Sequence, residues 1–316
     1  MKNIALLSLL IIFYGCSNTQ RITTKEVGQQ YSSLGAAHIA VLSSDKMNGR
    51  LVGTEENEMA AAYIEQQLKA IGVQPYFSNG SYKDSFTLGV IEAYNIVGEI
   101  KCPHNTDEYI ILSAHFDHVY NPDDVSINDS IFNGANDNAS GVAAVLEIGK
   151  ILVQNKNDLQ KNVLLVLFNG EEVNYLGSNH LADKLKAAQF NLSYLINFEM
   201  IGKPLLNKPE QAYLTGFDSS NMQQLMNDAL KREFIVYDPV EHQLDLFMRS
   251  DNYPFYLEFD VPAQTISTYS INDKFYHKPE DEFETLDLQH VEDIITLSGE
   301  AILTLLKENT SIEWNE

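Results

Sequence analysis

Five short β-rich runs constrain this chain more than any other feature: 94–101 (YNIVGEIK), 109–114 (YIILSA), 163–168 (VLLVLF), 194–198 (YLINF) and 263–268 (AQTIST). They are of strand length, and most are continuously apolar, the pattern of strands covered on both faces. Helical periodicity separates several of them. SGVAAVLEIGKILVQ at 140–154 carries Val142, Val145, Leu146 and Ile148 on one stripe, and similar patterns lie near 177–188, 219–231 and 287–307. Upstream, a helix is expected from about Lys25 to Leu42. Another is expected from the N-cap Thr54 to a stop at Gly72, after the irregular SSDKMNGRLVG. Strands alternating with helices predict an α/β fold, a mixed central β-sheet covered by helices on both faces. With 316 residues, 44% of them hydrophobic, the chain has the material for one main domain, and it contains no internal repeat.

The charge excludes one class of partner. Against 21 Lys+Arg stand 44 Asp+Glu, a formal charge of −23, which repels phosphate backbones and so predicts no nucleic-acid binding. For most single carboxylates the role is solubility. At the start, Lys2 precedes an apolar run from Ile4 to Phe13, far short of the ~20 residues a membrane-spanning helix needs. It reads as an export signal over 1–15. The FYGCSN that follows resembles the lipobox of bacterial lipoproteins, which implies an acylated Cys16, a polar tether over 16–24, and membrane contact in the cell envelope through that anchor alone. Only Cys102 remains beyond Cys16, so no intrachain disulfide framework is expected.

Ligands of open α/β sheets bind beyond the carboxyl ends of the strands, and the residues there carry the chemistry. After YIILSA come His115, Phe116, Asp117 and His118; after VLLVLF come Asn169, Gly170, Glu171 and Glu172; YLINF runs into Glu199. Asp137 precedes the helix that opens at Ser140, and His277 lies in FYHKPED. Imidazoles and carboxylates of this kind suit Zn²⁺ with open coordination positions. Taken singly, Asp137 reads first as a turn and N-cap residue, His115 and His277 as satisfied histidines, and Glu171 and Glu172 as solvated carboxylates. Three separate strand ends delivering such residues to one edge weigh against chance.

SAHFDHV (113–119), NGANDNASGVAAVLEIGK (133–150), VLFNGEEVNYLGS (166–178), NFEMIG (197–202), SDNYPFY (250–256) and YHKPED (276–281) resemble, in order and spacing, the zinc aminopeptidases of family M28. The upstream NGRLVGTEENEMAAAYIEQQLKAIGV resembles the segment before that family's motifs, and 25–316 is then one catalytic domain. The resemblance implies two Zn²⁺ per chain, His115 and Glu199 on the first, Glu172 and His277 on the second, and Asp137 bridging both. It implies that the Asp117 carboxylate fixes the His115 tautomer, that Glu171 is the general base, and that the Asp137–Asn138 peptide is cis. Glu171 and Glu172 are expected to point apart as neighbours in extended backbone. The family usually has Asp where this chain has Glu199. Peptides are the implied substrates, cut by water without a covalent intermediate. No GxSxG, Walker loop or catalytic cysteine context competes.

Other histidines, His118, His180, His242 and His290, read as surface or helix-face residues, with His118 near the cleft by resemblance. Three alternatives remain at this point. A glutaminyl cyclase shares the fold and most ligands, but usually has tryptophan where Tyr276 precedes His277, and the lone Trp314 reads as tail. A binding lipoprotein would be expected to have lost ligands. A carboxypeptidase or dipeptidase would need a cation such as Arg249 to hold a terminal carboxylate.

Overall fold

The apolar runs pair into one sheet. A computed structural model describes residues 33–125 and 129–315, and the export signal, Cys16 and the tether fall outside them. The strands are β1 (Gln74–Pro75), β2 (Lys83–Leu88), β3 (Ile91–Ile100), β4 (Glu108–His115), β5 (Asn162–Phe168), β6 (Asn191–Glu199), β7 (Tyr213–Leu214) and β8 (Ala263–Ser267). They pair in the order β1–β3–β5–β4–β6–β8–β7, with β2 also paired to β3. β5, β4, β6 and β8 are mutually parallel, whereas β3 and β7 run antiparallel to their neighbours. Four carboxyl ends therefore open at one edge.

Alternation within each central strand fills two cores. Ile110, Leu112, Ala114, Val163, Leu165 and Leu167 pack on one face, against α3 (Ser140–Gln154) and α8 (Leu288–Glu308). Tyr109, Ile111, Leu164, Val166 and Phe168 pack on the other, against Leu181 and Leu185 of α4 (Leu176–Ala187) and Phe255 of α7 (Asn252–Phe259). Both faces are covered, which is why these strands carry so few polar residues.

The second expected helix begins and ends where its caps require. In α2 (Glu55–Ile71) the Thr54 side chain accepts from the Asn57 amide, Glu55, Glu56 and Glu58 occupy the positive end, and Gly72 closes the helix at φ +91°. Of the first expected helix, Lys25 to Leu42, the described part is α1 (Leu34–Leu42), capped by Ser33; residues 25–32 lie outside the described residues. The remaining helices, α5 (Met222–Leu230) and α6 (Val240–Gln243), lie between β7 and α7. β2 and α7 are unanticipated. β2 buries only Asp84 and Phe86, so KDSFTL lacks an apolar run, and Pro254 in the first turn of α7 hides a helix that tolerates it there. Trp314 is not a loose tail residue but packs edge-on against Phe247 and Tyr256.

Candidate metal centre

β4 closes on His115, and β5 ends at Phe168 beside it. Gly170, at φ +76°, turns the chain so that Glu171–Val173 forms a single 3₁₀ turn. Glu171 and Glu172 therefore diverge through a turn rather than an extended segment. Asp117 holds that turn, its carboxylate accepting the Glu171 amide at 3.2 Å and the Glu172 amide at 3.3 Å. His115 Nδ1 meets the Asp117 backbone carbonyl at 3.1 Å, with the carboxylate 3.8 Å away. His115 Nδ1 thus lies closer to the Asp117 carbonyl than to its carboxylate, which also accepts two amides.

Asp137 is held from three directions. Asp281 accepts the amides of Asn136 (3.0 Å) and Asp137 (2.9 Å). The Asn138 amide group donates to Phe198 O at 2.9 Å and accepts from the Met200 amide at 3.2 Å, tying the loop to the end of β6. The Asp137–Asn138 peptide is cis, as the resemblance implies. From below, the wholly buried Arg50 donates to Phe116 O (2.8 Å), Asn133 O (2.7 Å), Gly134 O (3.0 Å) and Leu42 O (2.5 Å), joining the loop after His115 to the loop before Asp137. Burial lowers its pKa to about 10, against the pull of Asp137, Asp281, Asp117 and Glu172.

The two oxygens of Asp137 face two different sets of donors. Oδ1 lies 3.3 Å from His115 Nε2, which is also 3.2 Å from Glu199 Oε1. Oδ2 lies 3.2 Å from His277 Nε2 and 3.7 Å from His118 Nδ1. Glu172 Oε1 is 3.3 Å from His277 Nε2 and 3.4 Å from His118 Nδ1. Ser250 Oγ donates to the second oxygen of Glu199 at 2.9 Å and is itself held by Asn197 at 2.8 Å. All five residues expected as ligands are brought together. The groups His115–Asp137–Glu199 and His118–Asp137–Glu172 each converge tightly enough to hold one ion.

Electrostatics separates the carboxylates. Burial raises Asp137, but the bonds from His115 and His277 and the charge of His118 overcome it and hold its carboxyl well below the usual range. Burial and Asp137 push Glu172 up, and the His118 and His277 imidazoles outweigh them. Glu171 goes the other way: burial, with Glu172, Asp251 and Glu199 adding and His115 opposing, lifts its carboxyl well above the ordinary value. Burial also raises Asp117 to about 6 and Asp251 to about 7. Burial opposes protonation of His277, yet its contacts with Asp137 and Glu172 raise it to about 10.

The donor set fits zinc. Imidazole nitrogens and carboxylate oxygens are its ordinary ligands, and this much buried negative charge needs a cation nearby. Both ring nitrogens of His118 and Glu172 Oε1 are buried without a hydrogen-bond partner, the mark of a polar atom awaiting a ligand. Glu171 joins neither group and faces the cleft they floor, which encloses about 580 Å³ counting its open mouth and has Tyr213, Tyr269 and Tyr276 on its walls and the exposed Arg249 on its rim. Tyr276 stacks on the His277 ring with centroids 3.9 Å apart.

His118 is not a surface residue but is fully buried, 3.4 Å from Glu172 and 3.7 Å from Asp137, beside the cleft that these two line. His242 is exposed, His180 is partly exposed, and His290 is buried on α8. The sequence reading missed Arg50, Ser250, Asp251 and Asp281. Each lies inside a segment carrying the family resemblance, the one signal that could have marked it. No helix among the described residues is long and apolar enough to cross a membrane.

The sequence profile of peptidase family M28 matches residues 95–302. Aminopeptidase YwaD of Bacillus subtilis is 27% identical over 266 residues, 81% of this chain and 52% of that protein. The chain spans about half the length of the curated relatives it matches. Among solved structures, BSAP, a zinc aminopeptidase from Bacillus subtilis, superposes with a TM-score of 0.67 at 16% identity, covering 88% of this chain and 95% of that one. Porphyromonas gingivalis glutaminyl cyclase superposes with a TM-score of 0.65 at 18% identity, covering 87% and 98%. At such identities the structural likeness shows the fold.

Proposed function

Because the chain belongs to peptidase family M28, we propose that it is a zinc-dependent aminopeptidase, removing N-terminal residues from peptides with two Zn²⁺ per chain. His115 and Glu199 would hold the first ion and Glu172 and His277 the second, with Asp137 contributing to both. The observation that carries this reading is the division of Asp137, one oxygen toward His115 and the other toward His277. When bound, zinc ions in such a pair lower the pKa of water and polarise a carbonyl.

The chain's own residues do the rest. Glu171 accepts a proton from the attacking water and delivers it to the departing amine. Its raised carboxyl pKa suits a group that must both take and return a proton near neutral pH. The Asp117 carboxylate fixes the backbone of Glu171 and Glu172, so base and ligand keep their relative placement. Ser250 and Asn197 orient Glu199, whose extra methylene relative to aspartate is taken up without losing contact with His115. Arg50 and Asp281 fix the loops of His115 and Asp137. A cleft floored by Asp137, Glu171, Glu172 and Glu199 favours the ammonium end of a peptide. Residues 1–15 direct export, and an acylated Cys16 anchors the chain in the envelope.

The test is a comparison of three substrates on purified protein of known metal content: free-amine peptides, the same peptides N-acetylated, and peptides beginning with glutamine. Release of N-terminal residues from free-amine peptides alone is the expected result. Ring closure of N-terminal glutamine makes the chain a cyclase, and absence of both turnover and metal makes it a binding protein.

A further inference from the structure

We infer that the end of the cleft beyond Glu199 is the pocket for the side chain of the substrate's first residue, and that it takes a carboxylate, so that peptides beginning with glutamate or aspartate are the preferred substrates. The inference rests on the aminopeptidase reading and names its substrate class.

The order of the strands sets the place. From Glu172 the cleft follows the carboxyl ends of β5, β4 and β6, and past Glu199 it reaches β8 and the edge strand β7. There Tyr213 pairs with Ser267 and Leu214 with Ile266, and Thr215 continues the pairing, its amide donating to Thr265 O at 2.9 Å. Side chains alternate between the two faces of a strand pair. Leu214 and Ile266 enter the core, so Tyr213, Thr215, Thr265 and Ser267 share the opposite face, and all four line the cleft while only 1–3% exposed. One buried wall thus carries four hydroxyl groups.

Their protons are in surplus. Thr265 Oγ1 donates to Asn252 Oδ1 at 2.9 Å. Thr215 Oγ1 and Ser267 Oγ accept the amides of Thr265 and Tyr269, each at 3.0 Å, which leaves their own protons to donate. The Tyr213 hydroxyl is buried without a hydrogen-bond partner; burial pushes its pKa up, with Ser267 opposing, so it stays protonated. On the rim, the exposed Arg249 lines the same cleft and, among the described residues, is in no ion pair. Glu199, the carboxylate beside this wall, is already engaged by His115 and Ser250. A guanidinium with three hydroxyl donors suits a carboxylate brought by the substrate.

An apolar side chain is the competing occupant, since Met200 and Leu246 also line the cleft. It would strip water from the Tyr213 hydroxyl and return no acceptor, and a site with buried polar groups rejects the analogue that leaves them unpaired. The terminal carboxylate of a short peptide carries the same chemistry as an acidic side chain, and the experiment separates these two sources.

Zinc-loaded enzyme is assayed on α-glutamyl, glutaminyl and leucyl p-nitroanilides, which have no terminal carboxylate, and on Leu-Gly beside Leu-Gly amide. The expected kcat/KM for the glutamyl substrate is about 100-fold above that for the leucyl one, with glutaminyl between them and Leu-Gly cut no faster than its amide. Tyr213→Phe and Arg249→Gln each lower the glutamyl-to-leucyl ratio by about 10-fold or more. A wild type that prefers leucine, a folded variant of either kind that keeps the ratio, or faster cleavage of Leu-Gly than of its amide overturns the pocket; release of any residue from a free-amine substrate still upholds the aminopeptidase. Calorimetry with free glutamate and free leucine, the corresponding products, repeats the comparison without turnover. If no p-nitroanilide is cut, the aminopeptidase reading fails, and glutamate binding no tighter than leucine then overturns the pocket as well.

Discussion

Arg50→Met removes a buried cation from four carbonyl oxygens at once. Phe116 O belongs to the loop carrying His115 and Asp117, Asn133 O and Gly134 O lead into Asp137, and Leu42 O ends α1. Methionine fills the stem but donates nothing. A buried acceptor left without its donor costs about 1–3 kcal/mol, and relief from burying a guanidinium offsets part of the sum. A net loss of about 3–5 kcal/mol follows, the range for breaking a buried charged network. At about 2–4 °C per kcal/mol, the melting temperature of the metal-free protein falls by on the order of 10 °C. Because both joined loops carry proposed ligands, zinc affinity falls as well, by roughly 10–100-fold as for other residues that orient ligands. Arg50→Lys keeps the charge, but one ammonium has only three donors and no planar fork, so it recovers part of the stability and less of the affinity. Thermal melts with chelator and with zinc, together with a competitive zinc titration, check both numbers. A folded Arg50→Met within about 1 kcal/mol of wild type, binding zinc equally well, would refute the clamp.

Glu171→Gln should keep its metal and lose about 10²–10⁴ in kcat, the usual worth of general-base catalysis; steady-state kinetics beside metal analysis reads both. Asp251 has a folded-state pKa of about 7, raised from 3.8, so the folded protein binds its proton more tightly than the unfolded chain does. The stability this confers is fully present below the unfolded pKa and is lost as pH rises through about 7. Urea melts of metal-free wild type should therefore weaken between pH 5 and pH 7.5 by more than those of Asp251→Asn, which cannot ionise, the difference being on the order of a few kcal/mol. Parallel pH dependence in the two proteins would assign the slope to other groups.

How much of this was legible depended on where each residue sits relative to a strand end. His115, Glu171, Glu172 and Glu199 follow or close apolar runs, so the sheet's own logic pointed to them, and Asp137 and His277 stood out beside a helix start and after the last core strand. Arg50 was hidden because a cation in an irregular, glycine-containing stretch reads as solvated, whereas its burial is set by carbonyls from two distant loops and from the end of α1. Asp117 was found, but only part of its action was legible. Spacing placed it near His115 and could not show that the Glu171 and Glu172 amides claim its carboxylate. His118 was visible as a histidine beside the motif. Its burial depends on Gly134, sixteen residues further along, leaving room for the ring. β2 escaped because a strand with one buried face and an aspartate on it carries too little apolar signal.

Asp137 is the residue on which the whole arrangement turns, since it alone touches both groups of donors. Zinc per chain, measured after dialysis for wild type and Asp137→Ala, tests that directly. Two ions in the wild type and loss of both from the variant, with a lower melting temperature in zinc, is the predicted outcome. An Asp137→Ala protein that still retains two tightly bound ions would contradict it.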